Sequence, residues 1–349
     1  MREAVPDLTT LHRQSERAEA PVFWPVRLRQ WLGMPGLAGS TVAAGFLGAI
    51  WLAAGGGWPS AEVVRSGDIG NALFFALSLG LIIEFAATIP RAAQRDMDAL
   101  SAELTVDDDV TNRLRQALAR YSRRDSAANA VMGAAIGAGH VALTAPGWTG
   151  VPGDPVAAVL SLGTVLLWAL MVQTGAVLVT NALMFATIGR DATRVEIHAL
   201  DRLRPFATAA LRPMLLIMAL LAAYPLMLLG AGPMGLATAI GPVATALLAL
   251  AVVGVPLRGL AKRIREARVT RILQLDSAIS EVERAADHHG APTEPARLEA
   301  LLALRARVQS VSSLPIGLGG LGRGLIYLAL PVATWGGKGF GEALLSWLF

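Results

Sequence analysis

Basic residues in this chain stand at one end of every long apolar run. Of its 30 lysines and arginines, 27 fall in four blocks, at 1–37, 91–126, 190–212 and 257–314. Two apolar runs separate each block from the next. The loops joining those paired runs hold one basic residue between them, Arg65. In helical membrane proteins the cytoplasmic loops carry the excess of Lys and Arg. The pattern therefore describes three membrane hairpins, each entering and leaving on the cytoplasmic side. It implies an all-α polytopic membrane protein of the cell inner membrane, with its N-terminus in the cytoplasm.

Composition agrees. The chain is 54% hydrophobic and 16% charged, against about 45–50% and about 25% in globular domains. The net charge of +4 would suggest nucleic acid in a soluble protein. Here the bases flank apolar runs, so topology and anionic headgroups account for them, and no nucleic-acid partner is expected. The absence of cysteine excludes disulfides, thiolate chemistry and Cys-ligated metals. The first apolar run begins near Ala38, after a polar lead, so no cleaved signal peptide is expected.

Residues 1–37 read as a cytoplasmic segment, in which Phe23, Trp24, Trp31 and Leu32 mixed with Arg27 and Arg29 suit a short interfacial helix. Residues 38–256 read as a bundle of six spans, interrupted by a cytoplasmic helical loop at 91–126. The first two spans cover about 38–57 and 71–90, each about the 20 residues that cross a bilayer. The third covers about 127–145. The fourth apolar run, 156–188, has no charge in 33 residues. At 1.5 Å per residue it would reach about 50 Å, so it must tilt, bend or project. The fifth and sixth cover about 213–229 and 235–256. Trp58 and Trp148 fall at the outer ends, as an aromatic belt requires.

Two cytoplasmic helical hairpins are expected. In 91–126 the run Asp107-Asp108-Asp109 marks a helix start, because acids favour the N-terminus, with a chain break near Thr105. In 257–313, Ile272, Leu275, Ile279, Val282 and Ala286 form a coiled-coil-like seam of two heptads. The helix stops at His289-Gly290, and a second helix carries Leu298, Leu301, Val308 and Val311. The seam can pair within the chain or with another subunit. Residues 314–349 read as a seventh span with Trp335 at the outer side, or as a re-entrant segment turning at 336–341.

Glu84 is the one acidic residue well inside a span, about 9 Å from the boundary at Pro90. Such a group marks an ion path, a proton relay or a buried pair. Arg323, about 13 Å deep from the same side, is its expected partner. His140 sits in the outer part of the third span, as a proton relay or a neutral imidazole bonded between helices. Gln173, Thr174 and Asn181 share one face of the fourth span, to line a polar path or to bridge helices. Gly133 and Gly137 form a GxxxG, which lets two helices approach closely, within one protomer or between two.

Other apparent motifs carry nothing. Gly317, Gly319 and Gly322 satisfy GxGxxG without the flanking strand and acidic residue of a dinucleotide site. His288 and His289 are adjacent and so diverge on a helix. His198 with Glu196 and Asp201 reads as a solvated helix turn. No cofactor, metal or catalytic constellation is expected, so an enzyme ranks last. The leading expectation is an oligomeric channel or transporter for ions or small solutes. The alternative is a non-enzymatic scaffold or signalling component that binds a cytosolic protein through 257–311.

Overall fold

The computed structural model describes residues 38–55, 68–118, 121–144, 154–228, 236–289 and 295–311. Among them the chain is all-helical. The helices are α1 (Ala38–Ala53), α2 (Asp68–Leu100), α3 (Asp108–Ala117), α4 (Arg123–Thr144), α5 (Pro155–Thr187), α6 (Arg204–Ala223), α7 (Leu236–His289) and α8 (Pro295–Gln309). Five of these, α2, α4, α5, α6 and α7, are long and apolar enough to cross a membrane.

Their outward faces show which solvent they suit. Val131 and Leu143 on α4 are each 70% exposed, and Leu162 on α5 and Leu247 on α7 are 55% and 61% exposed. Large aliphatic side chains repeated on the outside of a bundle would be left in water in a soluble protein. In a bilayer they meet lipid, and the helical backbone satisfies itself. The chain is a membrane protein by this measure.

The helix ends follow from local chemistry. At the start of α5, Asp154 accepts a hydrogen bond from the N–H of Val156 (2.9 Å), and Pro155 occupies the first helical position, where an N–H is not needed. At the start of α3, Asp108 and Asp109 lie in the first turn and Arg115 in the last, matching the helix dipole. The first helix stops earlier than its apolar run. Gly55 adopts φ +78°, a left-handed conformation that ends the helix at Ala53. With 16 residues α1 is about 24 Å long, short of the roughly 30 Å apolar core of a bilayer.

The two larger of four buried clusters stack along the bundle. One joins α1, α2, α5 and the end of α6 through Phe46, Phe74, Phe75, Ile82, Leu167 and Ala223. The other lies at the charged end, beyond Arg91. There Met97 and Leu100 of α2 and Leu114 of α3 pack with Phe185 of α5, Phe206 of α6 and Leu260 of α7. The 33-residue apolar run is thus one helix, and it projects: its last turn enters this second core instead of kinking within the bundle.

The charged loops are not separate solvated segments. Residues 91–100 continue α2, and the chain runs extended through Leu104–Asp107 before α3. Leu104 pairs with Thr193 in an antiparallel bridge. The Thr105 N–H donates to the Ala192 carbonyl and the Arg194 N–H to the Glu103 carbonyl, each at 2.8 Å. Arg202 reaches Glu103 at 3.4 Å. Residues Ile197–Leu203 form two short 3-10 turns in the same unit, kinked at Ala199.

The helix α7 runs unbroken for 54 residues, about 80 Å, through Pro256. Its far half lies antiparallel to α8. Asp276 pairs with Arg305, Arg268 donates to the Val311 carbonyl at 3.2 Å, and Leu275 and Val308 are buried. The heptad seam is therefore used within the chain. The interfacial helix at 21–36, the outer loops and the segment 314–349 lie outside the described residues.

Candidate functional site

Glu84 sits on α2 where α1 begins. Its Oε1 accepts a hydrogen bond from the Gly39 N–H at 3.0 Å. The first N–H groups of a helix have no partner of their own and carry partial positive charge. A carboxylate from the neighbouring helix meets both needs, an effect of about 1 kcal/mol. The contact requires glycine at 39, because an added Cβ would lie 2.3 Å from the Gly80 carbonyl oxygen and 2.7 Å from Glu84 Cγ. Glu84 thus fixes α1 against α2 through backbone. Arg323, its expected partner, lies outside the described residues.

The polar face of α5 reaches toward the start of α4. The Gln173 amide donates to the Ser126 hydroxyl and to the Ser126 carbonyl (3.3 Å). The Asn181 amide donates to the Tyr121 hydroxyl at 3.3 Å, and that hydroxyl donates to the Leu118 carbonyl at 2.9 Å. Burial pushes the Tyr121 phenol above its ordinary range, so it stays a protonated donor. Gln173 therefore bridges α5 and α4, and Asn181 ties α5 to the segment that precedes α4. Thr174 Oγ1 and Gln173 Oε1 are buried with no partner among the described residues.

Higher on α4, Gly133 and Gly137 face α5 at backbone distance. An added Cβ would lie 2.5 Å from the Trp168 carbonyl oxygen at the first and 2.7 Å from Val165 Cα at the second. Both glycines are spent inside the protomer. The ring of His140, one turn further, lies against Trp168, with centroids 5.9 Å apart and planes tilted 45°.

The arrangement that sequence reasoning missed lies at the charged end. Asp96 on α2 and Arg212 on α6 form a two-pronged ion pair, Nη1 to Oδ2 at 2.8 Å and Nη2 to Oδ1 at 3.2 Å. The Asp96 side chain is only 8% exposed and Arg212 is 37% exposed. Nothing local links two residues 116 positions apart, so only the folded bundle brings them together. The pair opens onto a cleft between α2, α5, α6 and α7, with about 560 Å³ of empty space, part of it open to the surroundings. Asn181 lines the same cleft, and its other walls are chiefly apolar, with Phe85, Leu178, Phe185 and Leu216.

Three of the four cleft helices carry proline at this level: Pro90, Pro213 and Pro256. Proline has no N–H, so the carbonyls of Ala86, Ala209 and Val252 lose their usual helical donor. Ala209 and Val252 line the cleft. Irregular helical backbone at membrane depth is tolerated where it borders a cavity or is buried in protein, and helices bend most readily at such points. A cleft with an ion pair, an amide and donor-free carbonyls can bind a polar group while apolar walls hold the rest of a molecule. No cluster of His, Asp and Glu suited to a metal occurs among the described residues.

No protein-family model, no curated protein and no solved structure matches this chain.

Proposed function

We propose that the chain is a multi-pass inner-membrane transporter of small solutes, with its N-terminus and charged ends in the cytoplasm and the cleft beside Asp96 and Arg212 as its binding chamber. In this reading α1 and α2, α4 and α5, and α6 and α7 make three hairpins, α1 being a short sixth span, and 314–349 supplies a seventh. The observation that carries it is the cleft: four apolar helices, three of them with proline at one level, surround an ion pair of buried Asp96 and half-buried Arg212. The helices α2, α6 and α7 stay continuous through these prolines, each of which removes one backbone donor at a point where a helix bends readily. Glu84, Gln173 and Asn181 position helices around that chamber, and Asn181 also faces into it. An oligomer draws no support from Gly133 and Gly137, which are used within the protomer. Transport of this kind needs no catalytic residue.

The test is flux. Purified protein in liposomes should take up sodium, potassium, protons or a labelled amino-acid mixture above protein-free controls. The Ala209→Leu variant, which fills the cleft from α6, should abolish uptake. Glu84→Gln keeps an acceptor for the Gly39 N–H and should retain it. Uptake unchanged in Ala209→Leu would remove the cleft from the path.

A second reading has its own observation. Arg258, Lys262, Arg265, Val269 and Leu273 recur at helical spacing on one face of α7, and all five are exposed, the last two at 50% and 64%. A basic face ending in exposed aliphatic side chains, continuous with a membrane helix, suits a scaffold that binds an acidic cytosolic helix. Absence of all flux, with a cytosolic partner retained by the intact chain and lost on deleting 257–311, would favour it.

A further inference from the structure

We infer that the cleft beside Asp96 and Arg212 binds a small zwitterion with an apolar side chain, an α-amino acid of the leucine or phenylalanine class. The location of the chamber rests on the transport reading; the binding chemistry does not.

The site presents one positive and one negative charge side by side in an apolar wall. A guanidinium has five N–H donors, and Asp96 engages two of them. The remaining donors can take an incoming carboxylate, and Arg212, the more exposed partner, is the one a ligand reaches first. An incoming ammonium finds Asp96, whose oxygens keep further lone pairs, and Asn181. The Asn181 amide nitrogen donates to the Tyr121 hydroxyl at 3.3 Å, and its Oδ1, 3.4 Å from the same hydroxyl, keeps a second lone pair that can accept.

Charge balance selects between ligand classes. A zwitterion adds no net charge, so the pair can accept it without leaving an ion uncompensated. A monoanion would set a second carboxylate beside the buried Asp96. A monocation would leave its charge next to Arg212. Both are penalised where the surroundings are of low dielectric. The apolar side chain then lies against Phe85, Phe185 and Leu216.

The experiment is titration calorimetry on the full chain in lipid nanodiscs. The ligands are L-leucine, L-phenylalanine and the two single-charge relatives of leucine, 4-methylpentanoate and 3-methylbutylamine. Saturable binding of an amino acid is expected, with each single-charge relative weaker by at least about tenfold, or 1.4 kcal/mol. The Ala209→Leu variant, checked as monodisperse, should lose binding. No saturable binding of either amino acid to the unmodified chain, or equal binding of 4-methylpentanoate, overturns the inference. Because the ligand series is read on the unmodified chain, it holds even if Ala209→Leu fails to fold. Binding without uptake in liposomes leaves the inference standing and removes transport. Uptake of an inorganic ion, lost in Ala209→Leu and indifferent to amino acids, overturns the inference alone.

Discussion

Arg212→Ala is expected to cost about 3 kcal/mol of stability, the lower end of what breaking a buried ion pair costs. Asp96→Asn should cost clearly less. The asymmetry follows from burial. The Asp96 side chain is 8% exposed, so without Arg212 it is a carboxylate with water excluded and its main countercharge gone. Arg212 is 37% exposed and can turn its charge toward water or headgroups when Asp96 is neutralised. The double variant Asp96→Leu/Arg212→Leu removes both charges and should recover most of the loss, because apolar side chains suit the wall of Phe185 and Leu216. Thermal unfolding of the purified protein in one detergent, ranked across the three variants, checks the order. Equal losses for the two single variants would mean that the pair lies in water and is not part of a closed wall.

Gly133→Leu is expected to release α4 from α5. The Cβ alone would lie 2.5 Å from the Trp168 carbonyl oxygen and 2.7 Å from Ala169 Cα, and both are backbone atoms that cannot rotate aside. Overpacking against movable side chains costs about 1–3 kcal/mol. Here the helices must separate, and the Gln173–Ser126 and Asn181–Tyr121 hydrogen bonds at the same interface go with them. Since α4 packs chiefly on α5, little else holds it. Gly139, by contrast, meets nothing within 4 Å of an added Cβ, so Gly139→Leu should be tolerated. A cysteine pair placed across α4 and α5 should crosslink in the parent and in Gly139→Leu, and fail in Gly133→Leu. Crosslinking retained in Gly133→Leu would show that the two helices are further apart than the structure has them.

Much of the architecture was legible because membrane helices write their length and sidedness in composition. The charge-free stretch 156–188 had to be one long helix, and Asp107–Asp109 had to start one, for reasons local to those residues. The GxxxG of α4 was visible as a close-packing face, although its partner helix was not. The rest depends on contacts distant in sequence. Asp96 reads as one more acid in a charged segment, and Arg212 as the last base before a span; neither signals the other. The pairing of Leu104 with Thr193 likewise joins a break in one charged segment to another charged segment, and neither marks the other in sequence. Glu84 was visible as an anomaly, yet its partner is the backbone of Gly39, a donor no sequence pattern marks. Pro256 reads as a helix end, and α7 passes through it because packing of Leu257 and Leu260 in the core outweighs one lost backbone bond.

The account depends on lipid surrounding these helices with the basic blocks together on the cytoplasmic side. The chain has no cysteine, so single-cysteine variants report position without background. Four positions suffice: Ser66 and Thr149 between paired apolar runs, and Ser101 and Gln309 in the basic blocks. Labelling with a membrane-impermeant maleimide from the outer side of intact membranes should modify Ser66→Cys and Thr149→Cys, and should reach Ser101→Cys and Gln309→Cys only after permeabilisation. Labelling of Ser101→Cys from the outer side, or release of the protein from membranes by alkaline carbonate, would contradict it.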